Sequence, residues 1–317
     1  MKLLVLNEYE VHQLLTMQSC IGVMEEALAD LSHGKAVNPL RSIVRAEGAP
    51  GFLGLMPAYR GDFGLKEVCV FPGNPARGLD THLGAVILHS GENGAPLAII
   101  NASAITAIRT AAVSAVATKL LARDDAHVLA VLGSGVQARS HLDSIPLVRD
   151  IREVRIFSRN VEQARQLATG NRRLASSAED AVRGADIVVT ATSSRDPVVK
   201  RAWIAPGTHI NAVGSSVATA RELDSATMAA ASLFVDRRES TINESGDYLF
   251  AVREGAIGPE AIRGEIGEIL TGRVEGRQSA EEVTLFKSLG LAVEDLASAQ
   301  FLFAEARRRG SGTWVEF

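Results

Sequence analysis

Cysteine is scarce in this chain. Its 317 residues contain two, Cys20 and Cys69, far apart and without a His or Cys neighbour at metal-ligand spacing. Neither a disulfide framework nor a metal site is expected, and a reducing compartment suits the sequence. A dominant charge sign is missing as well: 33 Lys and Arg stand against 37 Asp and Glu, a formal net charge of -4. Both signs are spread along the chain, so neither nucleic acid nor a membrane surface is expected as a partner. The apolar run from Leu3 to Leu6 ends at Asn7-Glu8, too short for a signal peptide or a membrane span. The expectation is a soluble, cytoplasmic protein acting on a small molecule. What is present is ordinary for a globular chain, 46% hydrophobic and 22% charged, with a length that suits two domains.

The first third reads as helices followed by an antiparallel sheet. Asn7 ahead of Glu10 marks a capped helix start. Ile21, Met24, Leu28 and Leu31 recur at helical spacing and stop at Gly34. Extended stretches at 42–44, 51–56, 67–71 and 84–88 are separated by Pro39, Gly61, Pro72-Gly73-Asn74-Pro75 and Gly91-Glu92-Asn93-Gly94. An Ala-rich helix is predicted over 103–123, with the polar residues Thr106, Arg109 and Thr110 near its start.

The second half carries a sharper signal. The apolar run 127–132 leads into Gly133-Ser134-Gly135-Val136-Gln137-Ala138, with a helical pattern from Gln137 onward. This is the G-x-G-x-x-A dinucleotide fingerprint in its proper context, strand before and helix after. Gly133 allows the tight turn, Gly135 lets the backbone approach a pyrophosphate, Ala138 permits close helix packing, and the helix N-terminus faces the negative charge. Strand-like runs at 154–157, 187–191, 208–213 and 233–236 continue the βα rhythm. The fold class is therefore α/β: a Rossmann domain over 119–292, plus a discontinuous α+β domain built from 1–118 and a returning helix in 293–317. Cofactor contacts are expected at Gly133, Gly135, Val136 and Gln137, and at the strand ends Ser158-Arg159-Asn160, Thr190-Ala191-Thr192 and Val213-Gly214-Ser215. An NAD enzyme usually places an acid at the second strand end for the ribose 2′-hydroxyl. Ser158 and Arg159 instead suit a 2′-phosphate, so NADP(H) is preferred, with NAD(H) still possible.

Several stretches together resemble the ornithine cyclodeaminase/mu-crystallin family. They are Met56-Pro57-Ala58, Lys66-Glu67-Val68, Ile105 to Ala112, Gly133 to Ala138, Val213-Gly214-Ser215-Ser216, Arg221-Glu222-Leu223-Asp224, Glu244-Ser245-Gly246-Asp247 and Phe286 to Gly290. The resemblance implies a homodimer whose first domain carries substrate and dimer contacts. It also implies roles for single residues. Arg41 and Arg109 match arginines that hold a substrate carboxylate or face the cofactor, a task suited to a guanidinium fork. Thr110 joins Arg109 as a cofactor contact. Lys66 matches the active-site lysine, whose ammonium can exchange protons near neutral pH when desolvated. Thr81 matches a hydroxyl near the nicotinamide, Glu244 a residue near the substrate, and Ser288 with Leu289 closes over the nicotinamide end. Without the resemblance each has a plainer interpretation: a solvated lysine, arginines in structural ion pairs, a structural histidine at His82, a helix-capping glutamate.

The family spans imine reductases, amino-acid dehydrogenases, cyclodeaminases and a hormone-binding crystallin. Ornithine cyclodeaminases carry an Asp where this chain has Ser216, and an acid at the second strand end. A serine does not replace a carboxylate base at neutral pH. The expectation is an NADPH-dependent reductase of a C=N bond beside a carboxylate, a cyclic ketimine acid or the imine of a 2-oxo acid. Two alternatives stay open: a cyclodeaminase that recycles NAD, and an NADPH-dependent ligand-binding protein.

Overall fold

The computed structural model describes residues 2–317, all but the side chain of Pro75. The chain begins with β1 (Lys2–Leu6), α1 (Glu8–Leu14), α2 (Met17–Ser32), β2 (Ser42–Val44), β3 (Phe52–Arg60), β4 (Asp62–Val70), β5 (His82–His89), β6 (Pro96–Asn101) and α3 (Ala102–Leu121). Next come β7 (Val128–Leu132), α4 (Val136–Ser144), β8 (Glu153–Phe157), α5 (Val161–Leu167), β9 (Arg172–Leu174), α6 (Ala178–Val182), β10 (Ile187–Thr190) and β11 (His209–Ala212). They are followed by α7 (Ser225–Ala230), β12 (Ser232–Val235), α8 (Arg238–Glu244), α9 (Gly246–Arg253), β13 (Ile262–Glu265), α10 (Ile266–Leu270) and β14 (Thr284–Lys287), and the chain closes with α11 (Ala292–Arg309) and β15 (Thr313–Glu316).

Contacts divide the chain into two compact units, one of residues up to Arg109 together with Leu291–Phe317, the other Thr110–Gly290. Sequence alone places the boundaries at 118/119 and 292/293. The contact division at 109/110 falls in the same helix, α3, a continuous helix that offers no loop or composition change to mark either point.

In the first unit the sheet order is β15-β1-β6-β5-β4-β3-β2. Strands β2 to β6 form an antiparallel meander, β1 joins parallel to β6, and β15 pairs antiparallel with β1. Alternation sorts the side chains. Met56, Ala58, Lys66, Val86, Leu88, Ala98 and Ile100 are buried on one face, and α11 packs across β3, β4 and α2. The opposite face is apolar too. Pro57, Leu65, Ile87, Ile99 and Val5 lie in register across five strands, and all five are exposed or half-buried. The helix ends follow the sequence: Asn7 and Glu10 form a reciprocal capping box at α1, and α2 ends before Gly34 at φ 74. Strands β1, β6 and β15 carry no alternating signature, and none of them is predicted above. Pro57 sits inside β3 opposite Leu65, where a proline in sequence suggests a strand end.

The second unit holds an eight-stranded sheet of order β13-β12-β14-β11-β10-β7-β8-β9, parallel throughout. Its strands are apolar on both faces, as a sheet covered on both sides requires. Leu129, Val131, Ile187 and Val189 pack with Ala138 and Leu142 of α4 on one face. Ala130, Leu132, Val188 and Ile210 build the core of the other. The strand order reverses beside β7, so the turn after β7 lies at the switch point where open α/β sheets bind ligands.

Candidate active site

Lys66 is the centre of a buried charge cluster in the first unit. It lies on the inner face of β4 and is 4% exposed. Its Nζ donates to Asp295 Oδ1 at 3.0 Å and to the Thr106 hydroxyl at 2.6 Å; that hydroxyl in turn donates to the Ala102 carbonyl at 2.6 Å. Arg109 Nε donates to the same Asp295 oxygen at 3.1 Å, and Arg109 Nη1 to Glu294 Oε2 at 2.8 Å. Both acids sit in the first turn of α11, where the helix dipole favours negative charge, and Asn38 accepts the Val293 N–H at 2.9 Å. Gly64 makes the approach possible: a Cβ there would lie 2.7 Å from Leu296 Cδ1. The missing side chain on β4 lets α11 come close enough for Asp295 to reach Lys66.

The electrostatics give Lys66 a proton that can be moved. Burial lowers its pKa and Asp295 opposes that fall, while Arg109 and Arg41 push it further down, to about 8. Arg41 therefore lies within electrostatic reach of Lys66, in the half-buried loop before β2. His82 is held down by desolvation first and by the charge of Lys66 second. Its Nδ1 lies 2.8 Å from the Thr81 hydroxyl. Lys66 and Arg41 thus place two cationic groups within electrostatic reach of each other.

The second unit carries an anion cradle. Gly133 has φ 130, and a Cβ there would meet the Ala191 carbonyl at 2.4 Å, so only glycine fits the turn. A Cβ on Gly135 would meet nothing within 4 Å: the backbone is bare on that side. Gly135 is the N-cap of α4 and gives no side-chain cap, leaving the first-turn N–H groups for an anion. The cradle fits a pyrophosphate. Ser134 is bonded to the Ser158 hydroxyl at 2.9 Å, which ties the turn to the end of β8. The described residues include no His, Cys, Asp and Glu group able to hold a metal.

The profile of the ornithine cyclodeaminase/mu-crystallin family matches residues 1–310. The chain belongs to that family. It is 40% identical to ketimine reductase mu-crystallin of Mus musculus over 88% of this chain and 90% of that one. Among solved structures it is similar to Thermococcus litoralis Delta(1)-pyrroline-2-carboxylate reductase in complex with NADH and L-proline, at TM-score 0.95 and 39% identity over 98% of this chain and 99% of that one. An archaeal alanine dehydrogenase dimer with bound NAD matches at TM-score 0.95 and 37% identity over the full length of both.

The other expected site residues of this family member fall in several places. Arg109 is committed on two sides to Glu294 and Asp295, and Thr110 is buried one residue further along α3. Val136 is exposed and Gln137 half-buried at the start of α4. Arg159 is exposed, while the Asn160 side chain caps α5 by accepting the Gln163 N–H at 3.1 Å. Thr190 is buried, and its hydroxyl donates to Glu222 at 2.6 Å. Ala191 and Thr192 are half-buried, Val213 is buried, and Gly214 and Ser215 are half-buried. Ser288 is 2% exposed. Glu244 ends α8 in the second unit, half-buried. Asp295 and Glu294 escaped the sequence prediction. Their signal was two adjacent acids inside the apolar periodicity of α11.

Proposed function

We propose that this chain reduces C=N bonds beside a carboxylate with a nicotinamide dinucleotide, NADPH in preference to NADH. The observation that carries the reading is the buried Lys66–Asp295 pair at 3.0 Å among Arg41, Arg109 and Thr106. Lys66 Nζ holds a proton near neutral pH and hydrogen-bonds or protonates the imine nitrogen, which makes the adjacent carbon a better electrophile. Asp295 keeps the ammonium charged and aimed. Arg41 orients the carboxylate, and Arg109 fixes both acids. The second unit binds the dinucleotide, which supplies the hydride. The names of the relatives support a cyclic ketimine acid or the imine of a 2-oxo acid as substrate. For NADPH the support is Ser158-Arg159 at the end of β8, where no carboxylate would repel a 2′-phosphate.

The protein is further read as a homodimer, joined through the outer face of the first sheet. The in-register row Pro57, Leu65, Ile87, Ile99 and Val5 is an apolar surface of the kind that marks an interface, and one similar structure is named a dimer.

The test is NADPH oxidation with pyrroline-2-carboxylate, piperideine-2-carboxylate, and pyruvate plus ammonia or methylamine, beside L-ornithine with NAD. Oxidation with any imine supports the proposal and ranks ring size or amine. Proline and ammonia from ornithine without net redox change would replace it with cyclodeamination despite Ser216. No turnover in either arm would move weight to an untested imine substrate or to a ligand-binding protein.

A further inference from the structure

A second buried charge cluster lies in the parallel-sheet unit, and the chemistry above gives it no task. Lys287 ends β14 and is 0% exposed. Its Nζ lies 2.8 Å from Asp247 Oδ2 and donates to the Gly214 carbonyl at 2.9 Å. Asp247, in the first turn of α9, accepts with Oδ1 from the backbone N–H groups of Glu222 and Leu223 at 2.8 and 2.9 Å. Glu222 is buried as well; it accepts the Thr190 hydroxyl at 2.6 Å and the Thr192 N–H at 2.7 Å. Burial pushes its carboxyl up, and the nearby Lys287 charge opposes that rise. The cluster thus reaches two short loops, one after β10 and one after β11, at the carboxyl ends of adjacent strands.

The turn after β11 is tightly determined. Val213 and Gly214 both donate to the Thr190 carbonyl at 2.9 and 3.0 Å, and Ser215 donates to the Thr192 carbonyl at 3.2 Å. A Cβ on Gly214 would lie 2.2 Å from Thr192 O and 2.6 Å from Glu222 Oε1. Ser215 holds φ 51, a left-handed conformation that a residue with a side chain keeps only where its surroundings over-determine it. Among the described residues it is the one non-glycine with positive φ. Buried ion pairs are seldom the cheapest way to fill a core, since apolar side chains of like volume serve as well or better. An ammonium does offer what an apolar side chain does not, a fixed donor for a strand-end carbonyl.

We propose that Lys287, held by Asp247, is a positioning residue for the nicotinamide end of the dinucleotide: its ammonium fixes the Gly214 carbonyl and with it the Gly214–Ser215 peptide. The proposal rests on the reading that a dinucleotide binds along the carboxyl edge of this sheet. Isothermal titration with NADPH and with ADP, which lacks the nicotinamide riboside, separates the two. Wild-type protein is expected to bind both. Lys287→Met is expected to weaken NADPH by about tenfold or more and ADP by less than about twofold. If that variant fails to fold, the paired change Lys287→Met with Asp247→Asn removes the cation and its counter-charge together while keeping an acceptor for Glu222 and Leu223. The same split is expected of it. Equal losses for NADPH and ADP, no loss for either, or failure of both variants to fold would assign the cluster to stability alone and overturn the proposal. Absence of binding to the wild type would overturn the dinucleotide reading, and this proposal with it.

Discussion

Lys66 is one side chain whose charge state the surroundings control. With its pKa lowered to about 8, the ammonium is the form present below that pH. A reaction that needs its proton should therefore slow as the pH rises through about 8. Asp295 supplies the attraction that opposes burial. Asp295→Asn should leave burial, Arg109 and Arg41 all pushing downward, and move the falling limb of the kcat/KM profile to lower pH by about one to three units. A limb that stays in place would remove Asp295 from the control of Lys66. At the other unit, Arg159→Asp should reverse the preference between NADPH and NADH, measured as the ratio of their KM values; an unchanged ratio would show that Arg159 does not meet a 2′-phosphate. Lys66 itself stands out in the sequence only through its family motif. Its partner shows only as one of two adjacent acids in an otherwise apolar helix start, and their pairing is not legible, because 229 positions separate Lys66 from Asp295 and no local pattern spans that distance.

At the scale of elements, the β7–turn–α4 unit was the most legible part of the chain, because its glycines act through backbone geometry that the letters state directly. Two substitutions should separate the reasons for them. Gly133→Ala places a Cβ 2.4 Å from the Ala191 carbonyl at φ 130 and should cost about 1–3 kcal/mol of stability, read as a lower denaturant midpoint. Gly135→Ala meets nothing within 4 Å, so the midpoint should hold while dinucleotide affinity falls. A loss of stability in Gly135→Ala, or none in Gly133→Ala, would contradict this division of labour. Thr190 shows the opposite case. Its place at a strand end suggests a cofactor contact; the hydrogen bond from its hydroxyl to Glu222 is not legible, since alternation along a strand does not say what a side chain meets. Strands β1, β6 and β15 lacked a period-2 signal and gained their place from neighbours.

For the whole molecule, the apolar outer face of the first sheet leads to a plain test. Leu65→Glu places a charge at the middle of the row formed with Pro57 and Ile87. On the homodimer proposed above, it should give monomers by light scattering behind size-exclusion chromatography where the unaltered protein gives dimers. A variant that remains dimeric would locate the interface elsewhere. The returning helix was legible as a helix, and its membership of the first unit followed from the order of the strands.

That return has a consequence in time. A ribosome delivers β4 and Lys66 well before α11, with Asp295 and Glu294. The second unit is continuous from Thr110 to Gly290, whereas Lys66 receives its counter-charge from a residue 229 positions further on. A chain cut between Gly290 and Leu291 would hold the whole second unit and lack the acids that pair with Lys66 and Arg109. The buried charge cluster around Lys66 is thus closed only by residues from α11.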